Sequence, residues 1–245
     1  MSGPSRVSET SHVPGSSAEV KNRGLRINKM MKLSDKTDRF FFLAGVVLLL
    51  SELWKQLTLT FVVGGGHYDW EYFPFQLCSM PMYICLLIGI VKSAQVKTAL
   101  YTFLMDFGLL GGIAAFFDTS GMHYSLTALT VHSFLWHFCL IAIGIAAGFS
   151  KKGSTPVKGF LSGASVYGAG CVFAAALNVA AHPLGYINMF YISPYYPMSQ
   201  VVFDHIAAVL GNNCGIFIYI GCCVLGGGVM HGFWCMKYLH EQRIL

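Results

Sequence analysis

Residues 40–63 read FFFLAGVVLLLSELWKQLTLTFVV, an apolar run whose strongly polar members are gathered between Ser51 and Gln56. At a helical rise of about 1.5 Å per residue the run crosses the roughly 30 Å hydrocarbon layer of a bilayer. Glu52 and Lys55 stand three residues apart, so they share a helix face and can neutralise each other. An ionisable group at membrane depth costs at least about 2.5 kcal/mol, which makes this pair either a packing lock or part of a functional site.

Similar stretches recur outward from this one. The pattern predicts an all-α polytopic helical bundle with six spans, near 40–63, 72–91, 98–117, 124–149, 159–181 and 211–236. Residues 182–198, with Pro183, Pro194 and Pro197, read as an irregular loop. Residues 199–209 read as a short re-entrant or interfacial helix before the last span, and a seventh span is the alternative. Composition agrees, because charged residues are 11% of the chain against roughly 25% in soluble domains. Glycine, with 27 copies, suits close helix packing in lipid.

Three parts follow. Residues 1–36 are expected to be a disordered basic cytoplasmic tail, 37–240 the transmembrane domain and 241–245 a cytoplasmic end. The turn-formers Gly3-Pro4 and Pro14-Gly15 precede Lys21, Arg23, Arg26, Lys29 and Lys32, a basic run suited to anionic lipid. Fifteen of the 16 Lys and Arg residues fall in the tail, in 92–97, in 151–158 or at the C-terminus, and none falls in 64–71, 118–123 or 182–210. This asymmetry predicts that both termini lie in the cytoplasm, and the expected location is the plasma membrane. It also argues against nucleic acid as the partner of the net charge of +5. A seven-span arrangement would place Lys237 and Arg243 on the opposite side.

The remaining polar residues gather toward the outer half. Gln76, Cys78 and Ser79 open the second span, Asp106 lies in the third, His132 and His137 in the fourth, and Asn178 near the end of the fifth. Measured from the outer end of each span, Cys78 lies roughly 9 Å deep, His132 and Lys55 roughly 12 Å, and Glu52 and Asp106 roughly 16 Å. A shared layer supplied by several helices is what a pocket opening to the outer leaflet needs. His132 and His137 differ by about 140° around a helix, so one site cannot hold both squarely. The eight cysteines sit in apolar stretches and read as free packed thiols. The spacing of His67, His123, His182 and His205 matches no metal-ligand motif, and no cofactor is expected. His231 and His240 read as side chains reaching the cytoplasmic surface, and the outer Tyr and Trp residues as a belt at the headgroups.

Several landmarks together resemble a family. Pro74-Phe-Gln-Leu-Cys78, Val131-His132-Ser133, Asn178 and the run from Asn188 to Pro197 stand in the order found in the YwaF family of bacterial integral membrane proteins, and Glu52, Trp54 and Gln56 are similar too. The resemblance covers about 40–236. It departs where this chain has Gln76, since the family usually carries a His two residues before the cysteine. YwaF-type proteins look related to the eukaryotic transmembrane-protein-164 type, described as cysteine-dependent acyltransferases acting on ether lysophospholipids. The resemblance implies that Cys78 accepts an acyl group and His132 is its base. Glu52, Lys55, Gln56, Gln76 and Asn178 would bind substrate, with Gln76 or Asn178 facing the oxyanion and Lys55 a phosphate. Membrane phospholipids would be the partners.

Two other classes fit the same residues. A transporter or channel would line its path with Glu52, Lys55, Asp106 and His137, but the spans show no internal repeat of the kind common in transporters. A non-catalytic lipid-binding membrane factor would need the pocket and no thiol chemistry.

Overall fold

The computed structural model describes the backbone of residues 17–244 and the side chains of residues 36–243. The chain divides into two units, Met1–Asp38 and Arg39–Leu245, and the second holds the polar clusters described below. Among the described residues all regular structure is helical: α1 Ser17–Leu57, α2 Met80–Ile90, α3 Ala94–Ala114, α4 Thr127–Phe149, α5 Val157–Ala181, α6 Phe203–Leu210 and α7 Asn212–Ile244. The helix at Ser17 starts inside the stretch expected to be irregular. No proline follows Pro14 there, and Lys, Arg, Leu and Met are good helix formers. The rest of that expectation, residues 1–16, lies outside the described residues.

Five helices are long and apolar enough to cross a membrane: Lys36–Val63 within and beyond α1, α3, α4, Val157–Leu184 and Asn212–Arg243. The second expected span is shorter, with its helical part at Leu77–Ile90, about 21 Å at the α-helical rise. Pro74 bends the entry by pushing the residue before it out of the helical region, and Phe73 is extended there (φ −54°, ψ 131°). Pro81 then sits in the first turn of α2, where a missing N–H costs nothing. The result places Cys78 in a tight 3-10 turn, Leu77–Ser79, at the head of α2. The short helix expected at 199–209 is α6, eight residues long and too brief to cross.

Large apolar side chains cover the outside of the bundle as well as filling its core. Leu43, Val47, Leu50 and Phe61 on the first spanning helix are each 60% or more exposed, the pattern of a lipid-facing stripe. In the window of α3, 61% is buried, against 17% for Asn212–Arg243, so α3 is the central helix. Its Phe103 and Phe107 stack 5.8 Å apart, Phe107 on Tyr167 of α5 at 4.9 Å, Tyr167 on Phe190 at 6.4 Å and Phe190 on Phe75 at 5.5 Å. This column runs from the middle of α3 to the loop after α5. Close approaches rest on glycine: a Cβ on Gly144 of α4 would lie 2.7 Å from Leu109 Cβ of α3, and one on Gly45 of α1 would lie 2.8 Å from the Leu86 backbone of α2.

Two π-type turns interrupt this regularity, at Thr58–Val63 after α1 and at Leu104–Gly108 inside α3. Such turns leave a carbonyl without its intrahelical partner and often mark functional positions. The second one contains Asp106.

Candidate functional site

The site begins on α1. Glu52 is 3% exposed and its Oε1 accepts from Lys55 Nζ at 2.8 Å and from Gln56 Nε2 at 2.7 Å. Gln56 Nε2 also donates to the Tyr72 carbonyl at 2.6 Å, which pins the loop leading into α2. The expected Glu52–Lys55 pair therefore forms and is part of a three-residue cluster. One turn before Lys55, Ser51 Oγ lies 2.7 Å from His132 Nε2 of α4. The Trp54 ring packs 5.4 Å from the His132 ring.

α4 then reaches Cys78. Trp136, one turn along from His132, donates its indole N–H to the Cys78 carbonyl at 3.1 Å. The two α4 rings lie 5.8 Å apart. His132 and Cys78 thus share one side of the bundle, although His132 hydrogen-bonds Ser51 and not the thiol. His132 Nδ1 is buried and carries no partner. The charges of Lys55 and Glu52 act on both the Cys78 thiol and the His132 ring. A first helical turn, with its free N–H groups, is also where negative charge is best tolerated.

Tyr124 and Tyr191 both lie within electrostatic reach of Cys78. Burial, and then the neighbouring Cys78, Glu71, Asp118 and Tyr186, pushes the Tyr191 phenol up to about 12, so it stays a hydrogen-bond donor. Tyr68 is likewise pushed up to about 12, by burial and then Glu52, Asp69 and Tyr83. Burial and then the Asp69 carboxylate raise Glu71 above the usual carboxylate range. In the sequence Tyr124 and Tyr191 were indistinguishable from headgroup-belt aromatics. Ser51 and Trp136 likewise had no signal beyond their position near an ionisable residue.

Gln76 and Asn178 stand differently. Asn178 is fully buried, and its side chain brackets Met189, donating to the carbonyl at 3.0 Å and accepting from the N–H at 2.6 Å. Gln76 does the same one residue to either side, donating to the Asn188 carbonyl at 3.1 Å and accepting from Phe190 N–H at 2.7 Å. Each amide is thus engaged by the 188–190 backbone through its oxygen and one N–H. Phe190 and Tyr191 adopt left-handed φ values of 57° and 59°, a conformation that needs such clamping. Asn188 Nδ2 remains buried and bare.

Two other residues move away from the expected set. Asp106 pairs with His231 at 2.7 Å, toward the connection at 150–156, so it belongs to a second cluster and not to the neighbourhood of Cys78. His231 is only 6% exposed, so it does not reach the membrane surface as expected. A helix-by-helix depth count could not reveal that the two residues face each other. His137 is buried, with Nδ1 2.8 Å from the Ser133 carbonyl of its own helix. All eight cysteines are free, and among the described residues no three His, Cys, Asp or Glu side chains gather as a metal site requires.

The fold and this polar cluster between membrane helices define a multi-pass helical membrane protein. Residues 25–225 match the TMEM164 family, and the chain belongs to that family. Of the two related groups that the sequence landmarks resemble, it is the transmembrane-protein-164 type that matches. No curated protein and no solved structure matches the chain.

Proposed function

We propose that the protein is a cysteine-dependent acyltransferase acting on phospholipids or lysophospholipids at the outer leaflet, with Cys78 as nucleophile and His132 as base. The observation that carries this reading is the Trp136 bridge: it ties the Cys78 carbonyl to a side chain one helical turn along α4 from His132, whose Nδ1 is buried and unpartnered. In this scheme Nε2–H donates to Ser51 Oγ, 2.7 Å away, and Nδ1 is the basic nitrogen.

In the first half-reaction Nδ1 takes the thiol proton and Sγ adds to the ester carbonyl carbon of a phospholipid. The carbonyl–oxygen ester bond breaks, the departing lysolipid oxygen takes the proton from Nδ1, and the acyl group remains as a thioester. In the second, an acceptor lysolipid hydroxyl gives its proton to Nδ1 and its oxygen attacks the thioester carbonyl. The C–S bond breaks and the proton returns to sulfur. In this reading Tyr124 and Tyr191, within electrostatic reach of Cys78, donate to the developing oxyanion, and Lys55 faces the lipid phosphate. Gln76 and Asn178 act by holding the 188–190 loop in place. The basic asymmetry of the connections supports cytoplasmic termini in the plasma membrane, with the basic tail on anionic lipid.

The test uses purified full-length protein in phospholipid nanodiscs supplied with a lysolipid. A hydroxylamine-labile acyl adduct is expected on the peptide carrying Cys78, together with new diacyl product. Cys78→Ala should remove both, and product formation by that variant at the wild-type rate would overturn the reading.

A further inference from the structure

A second buried polar cluster lies at the other end of α3 and α7. Asp106 has no exposed surface, and its Oδ2 lies 2.7 Å from His231 Nδ1 while its Oδ1 is without a partner. The other ring nitrogen, His231 Nε2, lies 2.9 Å from the Thr155 carbonyl oxygen, and Cys235 Sγ lies 2.9 Å from the same oxygen. Trp234 donates to the Met105 carbonyl at 2.9 Å, within the π-type turn that carries Asp106. Beyond Thr155 is a polar cavity of about 230 Å³ lined by Lys151, Gly153, Thr155, Tyr238, Glu241 and Gln242.

Counting protons decides what this arrangement can do. A carbonyl oxygen only accepts, so Nε2 carries a hydrogen, and the contact at Nδ1 needs one more between ring and carboxylate. The pair therefore shares two protons, as imidazolium with carboxylate or as imidazole with carboxylic acid. Either form is neutral overall, the condition burial favours. Removing one proton leaves a net negative pair and hydrogen for only one of the two contacts. A hydrogen bond to a carboxylate is roughly twice as strong as one to a neutral carbonyl, so the remaining ring proton goes to Nδ1 and the Thr155 contact is lost.

We propose that Asp106, His231 and Thr155 form a proton-operated latch that clasps α7 to the 150–156 connection when doubly protonated and frees that connection toward the polar cavity when one proton leaves. The surrounding groups are few. From α3 the ring meets Asp106, and from α5 the Phe160 ring at 5.4 Å. On α7 itself Cys235 and Tyr238 lie within reach of the Asp106 charge, and the Tyr238 hydroxyl is bonded to the Gly148 carbonyl of α4. Glu241 of the cavity pairs with both Lys151 and Lys237. The latch does not depend on acyl transfer at Cys78.

The test is made on the full chain in nanodiscs with ¹⁵N-labelled histidine, and the His231 signal is assigned by its loss in His231→Gln. As pH rises, His231 Nε2 should change from protonated to bare while Nδ1 keeps or gains its hydrogen. Over the same pH interval the Ser154 N–H, which donates to Thr102 Oγ1 at 3.0 Å, should lose about tenfold in hydrogen-exchange protection after correction for intrinsic rates, the equivalent of one hydrogen bond. His231→Gln supplies a donor to Thr155 that does not titrate, and Asp106→Asn keeps His231 Nε2–H in place. Both variants should stay closed at all pH values. A His231 Nε2 that keeps its proton throughout, or a protection transition that survives in either variant, overturns the proposal.

Discussion

Ser51 Oγ and His132 Nε2 lie 2.7 Å apart, joining the first spanning helix to the fourth and leaving His132 Nδ1 as the bare nitrogen. When the hydroxyl accepts from Nε2–H, Nδ1 is the basic nitrogen. Ser51→Ala should therefore lower acyl transfer by about tenfold, the worth of one hydrogen bond, while His132→Gln should lower it roughly 10²–10⁴-fold, as loss of a general base does. Single-turnover thioester formation separates the two. Equal losses would mean that Ser51 acts on more than the tautomer.

The Glu52–Lys55 pair makes a stability prediction with a sign. The side chains are 4% and 16% exposed, and removing one partner of a buried pair costs about 3–5 kcal/mol because the other charge is left alone. Lys55→Met should lower the unfolding temperature in detergent markedly. Glu52→Gln combined with Lys55→Met should recover most of that loss. A double variant as unstable as the single one would show that packing, and not charge balance, holds these residues.

Asn178 brackets Met189 from both sides. Asn178→Ala strands one buried N–H and one buried carbonyl, at about 1–3 kcal/mol for each. The 182–202 loop should then be cut by protease far faster than in the wild type, and acyl transfer should fall with it. Asn178→Asp keeps only the acceptor, so its effect on cleavage should be intermediate.

Left-handed backbone at two positions should respond in opposite ways to glycine. Val202 has φ 74° and is 61% exposed, so Val202→Gly removes about 1–2 kcal/mol of strain at little cost in packing and should raise the unfolding temperature. Phe190 has φ 57° but is 1% exposed. Losing its ring from the column with Phe75 and Tyr167 costs about 3–5 kcal/mol, which outweighs the strain relieved, so Phe190→Gly should lower it.

The amino-acid sequence by itself determined the approximate place of the membrane helices, the Glu52–Lys55 pairing and the brevity of 199–209. Each of these depends on apolar runs, helical spacing and proline, which act within a few residues along the chain. It also carried the landmarks around Cys78 and His132. Tertiary structure alone decided that Gln76 and Asn178 hold the 188–190 backbone, that Trp136 binds the Cys78 carbonyl, and that Asp106 turns away from that site to meet His231. Those contacts join residues up to 125 positions apart, and they depend on how each helix is rotated about its axis and which neighbours it packs against. Depth along a helix can be counted from sequence, but that rotation is fixed by close approaches such as Gly144 on Leu109 and by the π-type turn at Leu104–Gly108, which shifts the helical phase of every residue beyond it.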